Sequence, residues 1–503
     1  MGLGHRALAT AAAAALAASG CSTGVESPPA ASSTTTSTST SVLPDAATYS
    51  AQMRDAVTPD ALMAHLAELQ KIADANGGNR AIGTPGYEQS VDYVADALRA
   101  QGFDVETPQF DLSFPFADDP AVTVGGSPVK AEPLEYTAGT SPEGVAGRLV
   151  PVGGLGCTDS DYEQADVEGA VVLVDRGRCP FGEKQTAAAD HGAVAIIVAN
   201  NVDGESPGAT LGGQTEVTIP AVMVTKSDGA RLRARPEPVT IEMNAGVRTV
   251  QTRNVIAQTR TGSTENVVVV GGHLDSVPAG PGINDDGSGV VAVLETALQM
   301  GSSPPVRNAV RFGFWAAEEV GLLGSANYVQ SLSVDQLKDI AMYLNFDMLG
   351  SPNPAYFTMD GDQSAPPVPE REPPRIPEGS AGIERTLVEY LAGAGKTAQD
   401  TAFAGSSDYD SFIRVGIPVG GISSGADSDM TAAQAELWGG QAGRPYDPNY
   451  HRKTDTVDRI DRTALGINGS GAAYAVALYS QDLGGRNGVP ARPDRTRHPV
   501  PKS

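Results

Sequence analysis

The chain has 503 residues, 40% of them hydrophobic and 5% aromatic, and a formal net charge of −25 at pH 7. That length exceeds what one hydrophobic core ordinarily supports, so two folded units are expected, with many loops around the 58 Gly and 36 Pro. The acidic balance argues against nucleic acid as a partner, because phosphates require a basic surface; beyond that it marks solubility and names no substrate.

In chain order, the opening is a targeting segment. His5 and Arg6 precede an apolar run from Ala7 to Ala18, too short to span a bilayer. The run ends in Ala18-Ser19-Gly20-Cys21, which resembles the lipobox of bacterial lipoproteins, with Ala18 where a larger aliphatic is usual. This implies a signal peptide over 1–20, a lipid on Cys21 and an exported chain held on the outer face of the cell membrane, or released from it. An ordinary cleaved signal with an incidental Cys21 is the alternative. If Cys21 carries lipid, Cys157 and Cys179 remain as an even pair in an oxidising setting, and a Cys157–Cys179 disulfide is predicted; two free buried thiols are the other reading. Residues 21–47 are Ser/Thr/Pro-rich without apolar periodicity and read as a flexible tether.

Folding is expected to begin near Thr58, where Thr58-Pro59-Asp60 is a helix start and Leu62, Leu66 and Leu69 recur at helical spacing. A loop, an amphipathic helix closed at Gly102 and a strand follow up to residue 125. Between 126 and 245 the texture turns to short β-rich runs such as GAVVLVDRG and GAVAIIVANN, with one helix around Glu183–His191. From 246 to 485 strands alternate with helices: ENVVVVGGHLDS, a helix over Ser288–Met300, NAVRFGFWAAEE, a helix through Tyr328, and IAMYLNFDMLG. That alternation predicts an α/β domain with a mostly parallel central sheet covered by helices on both faces, built from residues 48–125 and 246–485 around the insert. Residues 486–503, rich in Pro and Arg, read as a disordered tail.

Functional groups of such sheets collect at the carboxyl ends of strands. Five segments place a metal-competent side chain at a strand end or in a loop: His273 in GGHLDS, Asp285 in GINDDGSG, Glu318 and Glu319 in AAEE, Asp347 in NFDM, and His451 in NYH. Two imidazoles and three carboxylates suit a pair of hydrolytic zinc ions, one carboxylate bridging both. Each residue alone has an ordinary reading: a hydrogen-bonded His, a turn Asp, a solvated helix start, a packed Tyr450. Asp347, beside apolar Phe346 and Met348, is the hardest to dismiss, because a buried carboxylate needs a partner.

At these residues the sequence resembles the secreted bacterial di-zinc aminopeptidases, a family related to glutamate carboxypeptidase and the transferrin receptor. The likeness covers roughly residues 58–125 and 246–485. It implies that His273 and Asp347 hold one zinc, Glu319 and His451 the other, and that Asp285 bridges. It further implies that Glu318 is the general base and that Tyr450 stabilises the oxyanion. The insert over 126–245 resembles a protease-associated domain, which would screen substrates at the cleft mouth or contact partners. Asp275, two residues past His273, is expected to accept the His273 ring N–H. One departure stands out: where some relatives carry an Arg, Gly405-Ser406-Ser407-Asp408 has Ser406, so side-chain preference does not carry over. The expected substrates are peptides with a free N-terminus. The alternatives on this fold are a mono-zinc glutaminyl cyclase-like transferase, a carboxypeptidase and a receptor-like binding protein. The last would have lost ligands or base, and the carboxypeptidase needs a basic cluster that the motifs lack.

Overall fold

The computed structural model describes residues 43–203, 209–366 and 374–499; the signal segment, Cys21 and most of the tether lie outside them. Eight strands form the main sheet, in the spatial order Asp104–Glu106, Val255–Gln258, Asn308–Trp315, Ser263–His273, Ile340–Phe346, Val419–Ser423, Phe357–Met359 and Gln399–Thr401. The four in the middle run parallel, while Val255–Gln258 and Phe357–Met359 join them antiparallel.

A strand buried on both faces needs apolar side chains at every position, and Val267-Val268-Val269-Val270 supplies them. Val268 and Val270 enter a core shared with the helices Pro59–Ala75, Pro85–Ala100, Ser288–Met300 and Arg462–Gln481. Val267 and Val269 enter a second core with Trp315, Tyr328 and Phe412. Each buried valine contributes about 1.5–3 kcal/mol relative to exposure. The helices begin where the local chemistry dictates. Thr58 and Thr84 each accept a backbone N–H three residues on, and Pro59 and Pro85 occupy the first turn.

The chain leaves this domain along Gln109–Ala117 and returns along Ala245–Arg253, and the two strands pair antiparallel along their whole length. Beyond this ribbon lies the insert, a five-stranded and a four-stranded sheet around two apolar clusters. A disulfide joins Cys157 and Cys179, with a Cα–Cα distance of 6.2 Å.

Three boundaries and the helix content of the insert differ from the sequence reading. A helix over Ala46–Ala56, capped by Asp45, precedes Thr58 and packs on the helix Arg462–Gln481. Its buried face holds only Tyr49, Ser50 and Met53, too sparse a stripe to stand out as helical, so the tether ends before Asp45 and not at 47. The insert starts at Ala121 and not at 126, because Ala121–Val124 pairs with Val239–Glu242. Besides Phe181–Asp190 it holds two further helices, Asp159–Tyr162 and Lys226–Ala234. The tail is placed up to Pro499: Arg495 and Arg497 are buried and donate to main-chain carbonyls of Glu265, Lys338, Leu337 and Ile340. Charge there signals not exposure but a donor for the chain ends around the sheet.

Candidate active site

His273 is the last residue of its strand, Asp347 follows the strand Ile340–Phe346, and Glu318 and Glu319 follow the strand ending at Trp315. Asp285 precedes the helix Ser288–Met300, and His451 lies in the loop before Arg462–Gln481. The fold gathers all of them. His273 Nε2 is 3.1 Å from Asp285 Oδ1, 3.8 Å from Asp347 Oδ1 and 4.0 Å from Glu318 Oε2. His451 Nε2 is 3.2 Å from Asp285 Oδ2 and 3.1 Å from Glu319 Oε2. Tyr450 stacks on the His451 ring with centroids 3.8 Å apart. Ala317, Met348 and His451, in or beside the set, adopt φ of +59°, +57° and +56°, the kind of left-handed backbone that non-glycine residues adopt where the surroundings hold side chains in place.

Several residues that the motifs did not single out hold this set. Gly272 lets the Asp286 carboxylate approach, since a Cβ there would lie 2.5 Å from Asp286 Oδ2. Asp286 is fully buried and accepts the backbone N–H groups of His273, Gly289 and Met348. Asp455 accepts those of Asn284 and Asp285 at 2.8 and 3.1 Å. Ser407 Oγ donates to Asp347 Oδ2 at 2.6 Å. Asp275 meets the His273 ring through its backbone: His273 Nδ1 is 3.1 Å from its carbonyl oxygen, while its carboxylate lies 3.8 Å away and accepts the N–H groups of Glu318 and Glu319. The strand end turns the carbonyl towards the ring and leaves the carboxylate to anchor the Glu318–Glu319 turn.

The electrostatics are those of crowded carboxylates. Burial and its neighbours, chiefly Asp347, raise Glu318 well above the usual range; burial and Asp285 raise Glu319 to about 7. Burial opposes the charging of His451, yet contacts with Asp285 and Glu319 hold it up at about 10. Burial alone would raise Asp285, but the rings of His273 and His451 draw it well below the usual carboxylate value. Burial keeps the Tyr450 hydroxyl protonated far beyond its ordinary range. Glu319 Oε1 is buried without a hydrogen-bond partner, a costly state unless something else takes that lone pair. Nitrogen and oxygen donors in two groups of three within 4.8 Å, His273–Asp285–Glu319 and His273–Glu318–Asp347, fit divalent zinc.

The set opens on a cleft of about 480 Å³. Its lining includes Met348, Phe357, Met359, Phe403, Ile422 and Tyr446, with Ser406 beside them, and no Lys or Arg among the described residues.

A largely parallel sheet carrying this donor set at its strand ends has the make-up of a metal-dependent enzyme. Residues 254–476 match Peptidase family M28 and residues 145–232 match the PA domain. The chain belongs to peptidase family M28, and it is a metallo-aminopeptidase with an inserted PA domain. It is 61% identical to the probable lipoprotein aminopeptidase LpqL of Mycobacterium tuberculosis, over 91% of this chain and 92% of the relative. It is 40% identical to leucine aminopeptidase 2 of Arthroderma otae, over 87% of each. Among solved structures, the aminopeptidase from Aneurinibacillus sp. strain AM-1 superposes with a TM-score of 0.67 at 26% identity, over 86% of this chain and 96% of the other. The zinc aminopeptidase BSAP from Bacillus subtilis gives 0.63 at 25% identity, over 86% and 98%.

Proposed function

We propose that this aminopeptidase is a co-catalytic two-zinc enzyme that removes N-terminal residues from peptides outside the cytoplasm. The observation that carries the reading is the orientation of Asp285, whose Oδ1 faces His273 and whose Oδ2 faces His451. His273 and Asp347 would hold one ion, Glu319 and His451 the other, and Asp285 both. When bound, the zinc ions make water a better acid and polarise the scissile carbonyl. Glu318 takes the proton of the attacking water and delivers it to the leaving amine, a role its carboxylate can fill from beside the ligand set, 4.0 Å from His273 Nε2. The Tyr450 hydroxyl donates to the developing oxyanion. The carboxylates of Glu318 and Asp347 receive the free α-ammonium group, which makes a free N-terminus a requirement.

The apolar wall favours an N-terminal side chain such as Leu, in keeping with the name of the fungal relative, and the lack of Lys or Arg among the described lining residues disfavours Asp and Glu. The lipobox-like Cys21 and the name of the mycobacterial relative support a lipid-anchored, exported chain. Incorporation of a labelled fatty acid, lost in Cys21→Ser, tests that part.

Aminoacyl-p-nitroanilides, free and N-acetylated, test the activity before and after chelation, with zinc counted per chain. Cleavage of free-amine substrates alone, abolished by chelation, with two zincs per chain, supports the reading. Two zincs without cleavage would mean the wrong substrate class. One zinc with cyclisation of N-terminal Gln would point to the transferase.

A further inference from the structure

Arg80 lies outside the ligand set, in the loop between the helices Pro59–Ala75 and Pro85–Ala100, yet its side chain is fully buried. Its guanidinium donates through Nε to the carbonyl of Pro281 at 2.9 Å, through Nη1 to Leu274 at 2.5 Å and through Nη2 to Gly282 at 2.5 Å. Its backbone N–H donates to Ser276 Oγ at 2.9 Å, and its own carbonyl accepts the Ser276 N–H at 3.3 Å. Every one of these partners belongs to residues 274–282, the piece of chain that runs from His273 to Asp285.

That piece is neither helix nor strand, so its inward carbonyls have no ladder to join and require donors from elsewhere. One planar guanidinium answers three of them in fixed directions, which an ammonium does not. The fit is close: Gly282 sits at φ +60°, and a Cβ there would lie 3.2 Å from Arg80 Nη2 and 2.4 Å from the Asp285 carbonyl. Among the described residues no carboxylate touches the guanidinium, although Asp275, Asp455, Asp286 and Asp285 act on it electrostatically. A buried cation without an ion-pair partner is costly by itself, and the surrounding carboxylates are what offset that cost.

We propose that Arg80 is a positioning residue for the metal centre: its grip on Leu274, Pro281 and Gly282 sets the span between His273 and Asp285, and its charge balances the carboxylates around the ions. The inference rests on the two-zinc reading. Arg80→Lys keeps the charge and loses the three-way grip; Arg80→Met loses both.

The full-length wild type and these variants are to be stripped and titrated with zinc against a competing chelator, with circular dichroism recorded for fold and kcat and KM for Leu-p-nitroanilide at saturating zinc. Folded Arg80→Lys is expected to bind zinc at least about tenfold more weakly, with kcat lowered and KM within about twofold of wild type, because the residue does not line the cleft. Arg80→Met is expected to be weaker still. Wild-type zinc affinity and kcat in folded Arg80→Lys, whatever its thermal stability, would overturn the proposal. If neither variant folds, Arg80→Gln decides, since its planar amide can still donate to one of the three carbonyls but carries neither the charge nor the three-way fork: weaker zinc binding in a folded protein supports the proposal and unchanged binding overturns it. A wild type that binds fewer than two zincs, or cleaves no aminoacyl substrate, would fail the earlier reading and is told apart by that result.

Discussion

Asp347 is held by a chain of hydrogen bonds that runs through the second core, and Ser407→Ala cuts its last link. Trp315 Nε1 donates to the Tyr343 hydroxyl at 2.9 Å, which donates to Asn345 Oδ1 at 2.9 Å. Asn345 Nδ2 donates to Ser407 Oγ at 2.9 Å, and Ser407 donates to Asp347 Oδ2 at 2.6 Å. Tyr343 is itself pinned by stacking on Phe412, with centroids 3.8 Å apart and planes 8° from parallel. The final bond has the length of a charge-assisted O–H···O⁻ contact, and such bonds contribute about 1.5–3 kcal/mol. At about 1.4 kcal/mol per tenfold, its loss should weaken zinc at the His273–Asp347 position by about 10- to 150-fold. Titration of the stripped variant against a chelator of known affinity measures this, and kcat should fall alongside. Removing a donor also makes the carboxylate a stronger base, which works in the opposite sense. The prediction is that lost orientation outweighs it, and zinc affinity at or above the wild-type value would refute the reasoning.

Glu318→Gln should keep its zinc yet lose about 10²- to 10⁴-fold in kcat; near-normal turnover would remove the proposed base. The paired change Cys157→Ser, Cys179→Ser opens a loop spanning a sequence separation of 22 and should destabilise the insert by about 3 kcal/mol in urea unfolding, with peptide cleavage at 25 °C unchanged. A loss under about 1 kcal/mol would count against it. Glu384, away from the active site, is raised to about 7 by burial and then by the charges of Asp362, Asp400 and Asp360. The folded state therefore holds this proton more tightly than the unfolded chain. The stability it contributes is complete below about pH 4.5 and is lost as pH rises through about 7. Thermal unfolding of Glu384→Gln should show a smaller loss between pH 5 and pH 8 than the wild type; parallel curves would refute the assignment.

Much of the architecture was legible because the relevant signals are local. The helix Ser288–Met300 has the bounds its sequence gives, and the strand around Val267–Val270 announces itself by unbroken apolarity. His273, Asp285, Glu319, Asp347 and His451 each had an ordinary reading alone, and it was their succession along the chain, with the resemblance it carries, that singled them out. What supports them did not, because the partners are remote in sequence: Arg80 meets Gly282 across 202 positions and Asp455 meets Asn284 across 171. The Asp275 contact turned on whether a carbonyl or a carboxylate faces the ring, a choice made by strand geometry that residue identity does not encode. Arg495 and Arg497 misled for a related reason. Composition assigns arginines at a chain end to solvent, whereas here unfilled carbonyls at the edges of strands and helices draw them in.

The ribbon of Gln109–Ala117 and Ala245–Arg253 has a consequence for how this chain can be cut and rebuilt. Departure and return occur side by side, with Ala117 paired to Ala245, so the catalytic sheet meets the inserted domain as if it were the tip of a single hairpin. Strands in a ladder lie about 5 Å apart, a gap that a two-residue turn spans. Topologically the inserted domain is therefore a detachable cartridge: a two-residue turn between Ala117 and Ala245, or another domain with adjacent ends, would leave the order and register of the catalytic strands untouched.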